Sequence, residues 1–328
     1  MRHFTLVSLL SACALASLPG QKPAATSTAV QDHPVAVTEL AGVRAAVDRV
    51  AKVLSLDGAG LSVVRSSHAL HRSFHREFTA DQVVPIAAAS KWLAVATIMS
   101  LVDDGTLDLD TPVARYVEEF DRDDRRRVTL RQCLSCISGL PVRMPDHMRN
   151  WDMDKFAEEA ADEAMRAYPG TSFSYGGIGF QVVALAAVRA TGEDWHQLFA
   201  TRVANRLGMR NTQFGTLFPV AAQAGKTALP WVPGGAVSTL SDYTRFVQML
   251  LGEGLWHGNR VLAAASVKEM LKNQVPKRID VKASKAATSD LAYGLGTWIE
   301  TTKDGVVRLS DPGAFGFTPW IDPDLRIG

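Results

Sequence analysis

Lys91 is the side chain in this sequence that most needs a reason. It stands near the start of the apolar stretch VVPIAAASKWLAVATIMSLVDDG, Val83 to Gly105. A lysine one helical turn beyond a serine can form a nucleophile pair, because residues three apart share a helix face. The unpaired N–H groups of a helix's first turn, with the positive end of its macrodipole, suit an oxyanion. The lysine can accept or relay the serine proton when a buried, cation-rich setting lowers its pKa. Three positions before Lys91, however, stands Ala88, which has no hydroxyl. Ser90 does not replace it. Adjacent residues lie about 100° apart around a helix and do not face each other.

The other reactive side chains give weaker signals. Cys133 and Cys136 form a Cys-x-x-Cys pair in TLRQCLSCISGL. No second pair completes a zinc site and no thioredoxin-type βαβ context surrounds this one. Two small residues packed on one helix face is the favoured reading. His68, His71 and His75 stand three and four apart, a spacing with meaning only on a helix, and this segment reads as a strand. They are expected at the surface, and no metal-ligand pattern is present. Lys226-Thr227, in GKTA, reads as loop.

The elements that must position Lys91 follow from periodicity. Leu40, Val43, Val47, Val50 and Leu54 mark one face of an amphipathic helix. AGLSVVRSS and HALHRSFHREF then read as two strands. The Lys91 segment is apolar nearly all round and therefore a buried helix, closed by Gly105. GIGFQVVALAAVRATG is a second buried helix, and STLSDYTRFVQMLLGEG an amphipathic one with Ser241 at its N-cap and Gly252 just past its end. YGLGTWIE and GVVRLS return to strands, and GFTPWIDPD ends in a turn. Strands at both ends with helices between predict an α/β (α+β) fold. Its antiparallel sheet is built from both chain ends and flanked by helices, with an all-helical domain inserted. The expected limits are 34–104 with 286–328 for the sheet domain and 105–285 for the helical domain.

The chain has 328 residues, 47% hydrophobic and 21% charged, with a formal net charge of +1. That balance is ordinary for a globular protein and lacks the basic excess of a nucleic-acid binder. EEFDRDDRRR, Glu118 to Arg127, mixes both signs and reads as a solvated loop. Residues 1–20 read as a signal peptide: Arg2, a short apolar stretch from Phe4 to Leu10, then small residues. LSAC, Leu10 to Cys13, resembles the lipobox of bacterial lipoproteins and implies a lipid anchor at Cys13. Ordinary cleavage after Ala14-x-Ala16 is the other reading. Either implies export, to the periplasm or as an outer-membrane lipoprotein. Residues 21–33 read as a flexible linker.

PIAAASKWLAVATIMSLVDDGTLDLDTPV, TLRQCLSCISGLP, PGTSFSYGG, GGAVSTLSDYTRFVQMLL and YGLGTW occur in that order. Together they resemble the serine β-lactamase and penicillin-binding-protein superfamily. The branch they resemble holds class C β-lactamases, family VIII carboxylesterases and D-amino-acid peptidases. The resemblance runs from about residue 33 to the end. It implies a β-lactamase/transpeptidase-like fold and acyl hydrolysis through an acyl-enzyme, with no cofactor. The implied ligands are a small ester, a lactam or a cell-wall-type molecule, and nucleic acid is not among them. The oligomeric state is left open.

Carried over by motif, Ala88 stands at the nucleophile position and Lys91 at the motif lysine. Tyr175 of FSYGG takes the place of the motif tyrosine, which can act as general base and then general acid. Asp311-Pro312-Gly313 falls at the third motif. Ala314 would give one oxyanion N–H and Ala88 the other. Gly177, Asp311 and Gly313 would contact substrate. Gly177 replaces an asparagine that binds a substrate amide, and Asp311 replaces a cationic or aromatic residue. Both changes lean toward esters. Cys136 stands at the family's histidine. With Ala88 the chain is expected to be nearly inactive, whether the alanine is natural or introduced. The family normally continues past this end with a strand and a closing helix, so a truncated reading frame or an expressed fragment is expected.

Overall fold

The computed structural model describes residues 41–66, 68–143, 151–216, 223–281 and 290–328. The expected signal peptide, Cys13, the linker and the 286 boundary lie outside the described residues. By contacts the chain forms two compact units, divided differently from the expected domains.

The described part of the first unit covers 41–63 and 69–79. It holds α1 (Ala41–Val53), most of β1 (Ala59–Arg65), and β2 (His68–His75), which pairs with β1. On α1 the periodic residues Val43, Val47 and Val50 are half-buried, whereas Leu54 is exposed. The three histidines do lie on a strand, but only His68 is exposed. His71 Nε2 is buried without a partner, and His75 Nδ1 sits 2.9 Å from Asp48. The expectation of surface histidines is corrected for these two: β2 turns part of each ring into the unit.

The second unit holds residues 64–68 and 80–328. Its first half carries β3 (Val84–Pro85), α2 (Ser90–Asp103), α3 (Leu130–Leu134), α4 (Met153–Asp162) and α5 (Ile178–Thr191). Next come α6 (Trp195–Phe199), α7 (Asn205–Leu207), β4 (Gln213–Phe214), β5 (Ala236–Ser238) and α8 (Leu240–Leu251). The last elements are β6 (Leu255–Trp256), β7 (Asn259–Arg260), α9 (Ala264–Leu271), β8 (Asp290–Tyr293), β9 (Trp298–Thr301), β10 (Val307–Ser310) and β11 (Trp320–Ile321). Strands β8 to β11 form an antiparallel meander, with Leu309 opposite both Ile299 and Ile321. Val64, late in β1, exchanges two backbone hydrogen bonds with Gly328, at 2.8 and 2.9 Å. Early and late chain are therefore hydrogen-bonded here, while β1–β2 and β8–β11 are two separate sheets.

The stretch expected to be all-helical is not. β5 lies between β3 and β4, with Val237 opposite both Pro85 and Gln213. β5 is only Ala236-Val237-Ser238, buried throughout, too short for its periodicity to show. α2 is buried over nearly its whole length, from Ser90 to Leu101, and lies against α5 and α9. This is the environment that an all-round apolar helix requires.

Helix starts differ in how they are capped. Thr129 and Gln132 close a reciprocal capping box at α3. Thr239, in extended conformation, caps α8 by accepting from Asp242 N–H. Ser241 is the second residue of that helix, so the expected cap was two residues late. α2 has Ala89 at its N-cap and no side-chain cap of its own.

Candidate active site

The site grows from the start of α2. Ile86 N–H donates to Ala236 O at 3.0 Å, and Ala87 follows with φ +48°. That left-handed conformation costs an alanine about 1–2 kcal/mol. Ser90 holds the turn closed. Its hydroxyl donates to Ala87 O (2.6 Å) and accepts from Ala236 N–H (3.0 Å). Fully buried and doubly engaged, Ser90 is a tie between α2 and β5, in agreement with its exclusion as nucleophile. Tyr243 of α8 donates its hydroxyl to Ala89 O at 2.6 Å. Between these anchors Ala88 sits half-buried in a 3-10 turn, with a methyl group where a hydroxyl would be needed.

Lys91, one turn on, is buried. Its ammonium donates to Pro233 O at 3.0 Å and lies 4.8 Å from the Tyr175 ring centroid and 5.5 Å from that of Phe180. The Pro233 loop is itself fixed by the fully buried Gln181 of α5. Gln181 Nε2 donates to Pro230 O (3.0 Å), and Gln181 Oε1 accepts from Val232 N–H (2.8 Å). Burial acts to lower the Lys91 pKa, but Tyr175, Asp311 and then Cys136 outweigh it, and the net shift is upward. The expected cation-rich setting that would free the amine is therefore absent. The charged neighbour is an acid.

That acid is Asp311, just after β10. It is fully buried and accepts from Trp92 N–H, in the first turn of α2, through Oδ2 at 3.1 Å. Its Oδ1 has no partner. Burial pushes its carboxyl up to about 7, against the pull of Lys91 and the Trp92 N–H. Asp311 was expected at the rim touching substrate; it lies instead beneath the turn, because the strand end carries it under α2. Gly313 is likewise buried. A Cβ there would meet Ile86 O at 2.0 Å, so the glycine allows the strand to pass against the Ile86–Ala87 turn. Ala314 follows at the surface. Among the described residues neither Ala88 N–H nor Ala314 N–H donates to a backbone carbonyl.

Tyr175 is placed by the backbone on both sides: Ser174 N–H donates to Cys136 O (2.8 Å) and Gly177 N–H to Val142 O (3.2 Å). Burial raises the Tyr175 phenol, Lys91 partly offsets this, and Asp311 adds to it. The ring belongs to an aromatic cluster, 5.0 Å from Trp298 and 6.0 Å from Tyr293 between centroids. At Gly177, which starts α5, a Cβ would meet Pro233 and Trp231, each at 2.9 Å. The space a longer side chain would take is already filled.

Cys133 lies in α3, but Cys136 follows the helix with φ +59°, so the two do not share a helix face as expected. Both are free thiols. Cys136 is buried, and burial pushes it up to about 11 even though Gly176 N–H and Lys91 pull it down. Its place among Lys91, Tyr175, Tyr293 and Asp311 was not foreseen. The one signal was its position at the histidine of the TLRQCLSCISGLP match. Pro233 and Gln181 gave no signal at all, since their roles are carried by backbone contacts. Among the described residues no group of three or more His, Cys, Asp or Glu is placed to hold a metal ion.

The family model for Beta-lactamase matches residues 41–328. The chain belongs to the β-lactamase family. Penicillin-binding protein 4 of Amycolatopsis lactamdurans is 28% identical over 76% of this chain and 71% of its own. Esterase EstB of Burkholderia gladioli is 26% identical over 66% of this chain and 57% of its own. A solved structure from Bacteroides dorei, assigned to the β-lactamases, superposes with a TM-score of 0.78 at 28% identity, covering 88% of each chain. This β-lactamase-family chain thus shares the fold and ancestry of serine hydrolases that include penicillin-binding proteins and esterases.

Proposed function

We propose that this protein carries the acyl-hydrolase site of its family, fitted to small esters, and that as written it binds such ligands without forming an acyl-enzyme. The observation that carries this reading is the start of α2. Lys91, Tyr175 and the Asp311–Ala314 segment converge there, while position 88 holds a methyl group. In the ancestral reaction a serine oxygen attacks the ester carbonyl. The alcohol leaves with the serine's proton, and water then cleaves the acyl-serine bond. Lys91 and Tyr175 would move that proton, and the Ala88 and Ala314 N–H groups would hold the oxyanion. Esters are favoured over lactams on two grounds. The wall at Gly177 is filled by Trp231 and Pro233, and the buried Asp311 charge disfavours a substrate carboxylate. EstB, one of the relatives, is an esterase by name. Export through residues 1–20, with or without a lipid at Cys13, belongs to the same proposal.

The second reading is a natural binding protein that holds a cell-wall fragment, a peptide or a protein partner in the old cleft. It draws support from the acid at Asp311, a second departure from a working site. Ala88→Ser separates the two. Incubated with p-nitrophenyl butyrate, it should gain a covalent butyryl adduct by intact-mass spectrometry that the parent lacks, and should gain none from a chromogenic cephalosporin. A folded Ala88→Ser protein with no adduct, even once Asp311 is also replaced by Asn, would sink the hydrolase reading and leave the binding protein.

A further inference from the structure

We infer that Asp311 is a positioning residue that holds Lys91 as an ammonium and Tyr175 as a neutral phenol, so that the site has lost its base as well as its nucleophile. This rests on the acyl-hydrolase reading only for its activity arm. Three contacts favour the charged lysine: the Pro233 carbonyl and the faces of the Tyr175 and Phe180 rings. Asp311 belongs to the same buried cluster, bonded to the N–H of Trp92, the residue after the lysine. An ammonium over an aromatic face is stabilised by the ring quadrupole, more so when desolvated. A carboxylate nearby favours the cation and disfavours a phenolate. The other ionisable groups within electrostatic reach are Cys136, Tyr243 and Tyr293, each shifted upward by burial and therefore neutral. Among the described residues, the charges left in this buried cluster are then the ammonium and, above about pH 7, the Asp311 carboxylate. Asp311 Oδ1, buried and unpartnered, marks this carboxylate as unusual for a merely structural cap, which would satisfy both oxygens.

The balance differs from what acylation needs. A general base must release its proton near the working pH. An amine whose neighbours all favour the ammonium, beside a phenol kept neutral by burial and an acid, cannot do so efficiently. Restoring the hydroxyl at position 88 would therefore restore only part of the machinery.

Asp311→Asn tests this, because it removes the charge and keeps an acceptor for Trp92 N–H. In protein labelled with 13C-lysine, the Lys91 Cε signal, assigned by its loss in Lys91→Met, should titrate at least one pH unit lower in Asp311→Asn than in the parent. An unchanged midpoint overturns the proposal. Should Asp311→Asn fail to fold, the parent itself carries a second readout. The Lys91 Cε shift should show an inflection near pH 7 as Asp311 titrates, and a flat trace from pH 5 to 9 overturns the proposal. In the Ala88→Ser background, Asp311→Asn should speed butyryl-adduct formation at least tenfold over Ala88→Ser alone, and equal rates would again overturn it. If both variants fail to acylate while the Lys91 midpoint still shifts, the hydrolase reading fails and the charge assignment to Asp311 stands.

Discussion

Among the described residues, the start of α2 contrasts with the starts of α3 and α8. α3 and α8 are capped from within, by Thr129 and Thr239, residues immediately next to the helices they close. α2 has an alanine at its N-cap, and one of its first-turn N–H groups is satisfied by Asp311, 219 positions away in sequence. A local cap closes a helix and does nothing else. A distant, charged cap ties the helix start to another segment and sets the electrostatics of whatever lies there. Every helix has four orphan N–H groups at its start. Without a local partner these groups are free to face negative charge, as at a helix N-terminus that binds an anion. The start of α2 has that form, although its nucleophile position is a methyl.

The sharpest way to break the distant cap is to push the segment that carries it away from α2. Gly313→Ala should do this, because the new Cβ would fall 2.0 Å from Ile86 O, and backbone lies on both sides. We expect a loss of roughly 4 kcal/mol or more, enough to leave little folded protein, read by circular dichroism and thermal melting. Gly192→Ala, a helix C-cap with φ +73° and open space around it, should cost only about 1 kcal/mol. Equal losses at the two glycines would mean that the strand end does not press on the α2 turn.

The charge on the distant cap should also appear in the pH dependence of stability. The folded-state pKa of Asp311 lies near 7, above its ordinary 3.8, so the native state binds this proton more tightly than the unfolded chain does. The stability is therefore fully present at low pH and lost as pH rises from about 4 to about 7. The slope is worth on the order of 2–4 kcal/mol by linkage. Denaturant unfolding at pH 5 and at pH 7.5 measures it. The difference attributable to this residue should vanish in Asp311→Asn. A parent protein whose Asp311-dependent stability instead rises over that range would contradict the burial of an ionised carboxyl.

Much of the frame was legible because it is periodic. The all-round apolar run that predicted a buried α2 is matched by a helix buried from Ser90 to Leu101. The Gly192 stop of α5 and the strands that make β1, β2, β9 and β10 were readable for the same reason. Ser90 could be ruled out by angle alone, and its two hydrogen bonds explain why a serine is there nonetheless. What the sequence hid is what depends on distance. Asp311 was placed at the site by motif order, but motif order carries no depth, and its burial reverses the role expected of it. β5 escaped notice because three residues hold too little periodicity. Thr239 lost to Ser241 because both can cap, and the choice was made by the chain's extended entry after β5. Cys136 and Pro233 reach Lys91 through a left-handed turn and a carbonyl respectively, features that residue type does not announce.

Ser90→Ala comes next in size. It removes a buried hydroxyl that serves two backbone groups, leaving Ala87 O and Ala236 N–H without it. An unsatisfied buried group costs about 1–3 kcal/mol. The loss should be close to 2 kcal/mol by urea unfolding, independent of pH. A change below about 0.5 kcal/mol, the scatter of surface substitutions, would mean that Ser90 does not hold the Ala87 turn.

The local caps should respond least, and their response completes the contrast. Thr239→Ala removes the acceptor of Asp242 N–H, and Thr129→Ala opens a box in which Gln132 also returns a bond to Thr129 N–H. Each should cost roughly 1 kcal/mol, with Thr129 the larger because two donors lose their fixed partners. Neither should shift the Lys91 titration, because neither threonine is ionisable. Asp311→Asn should do the reverse, conserving the cap's hydrogen bond while shifting Lys91. The comparison therefore rests on two measurements moving independently: stability for the threonines, and the protonation of a lysine for the aspartate. A Thr239→Ala protein whose Lys91 titrates differently would show that the site senses helix packing in general. The special status given to the Asp311 cap would then dissolve.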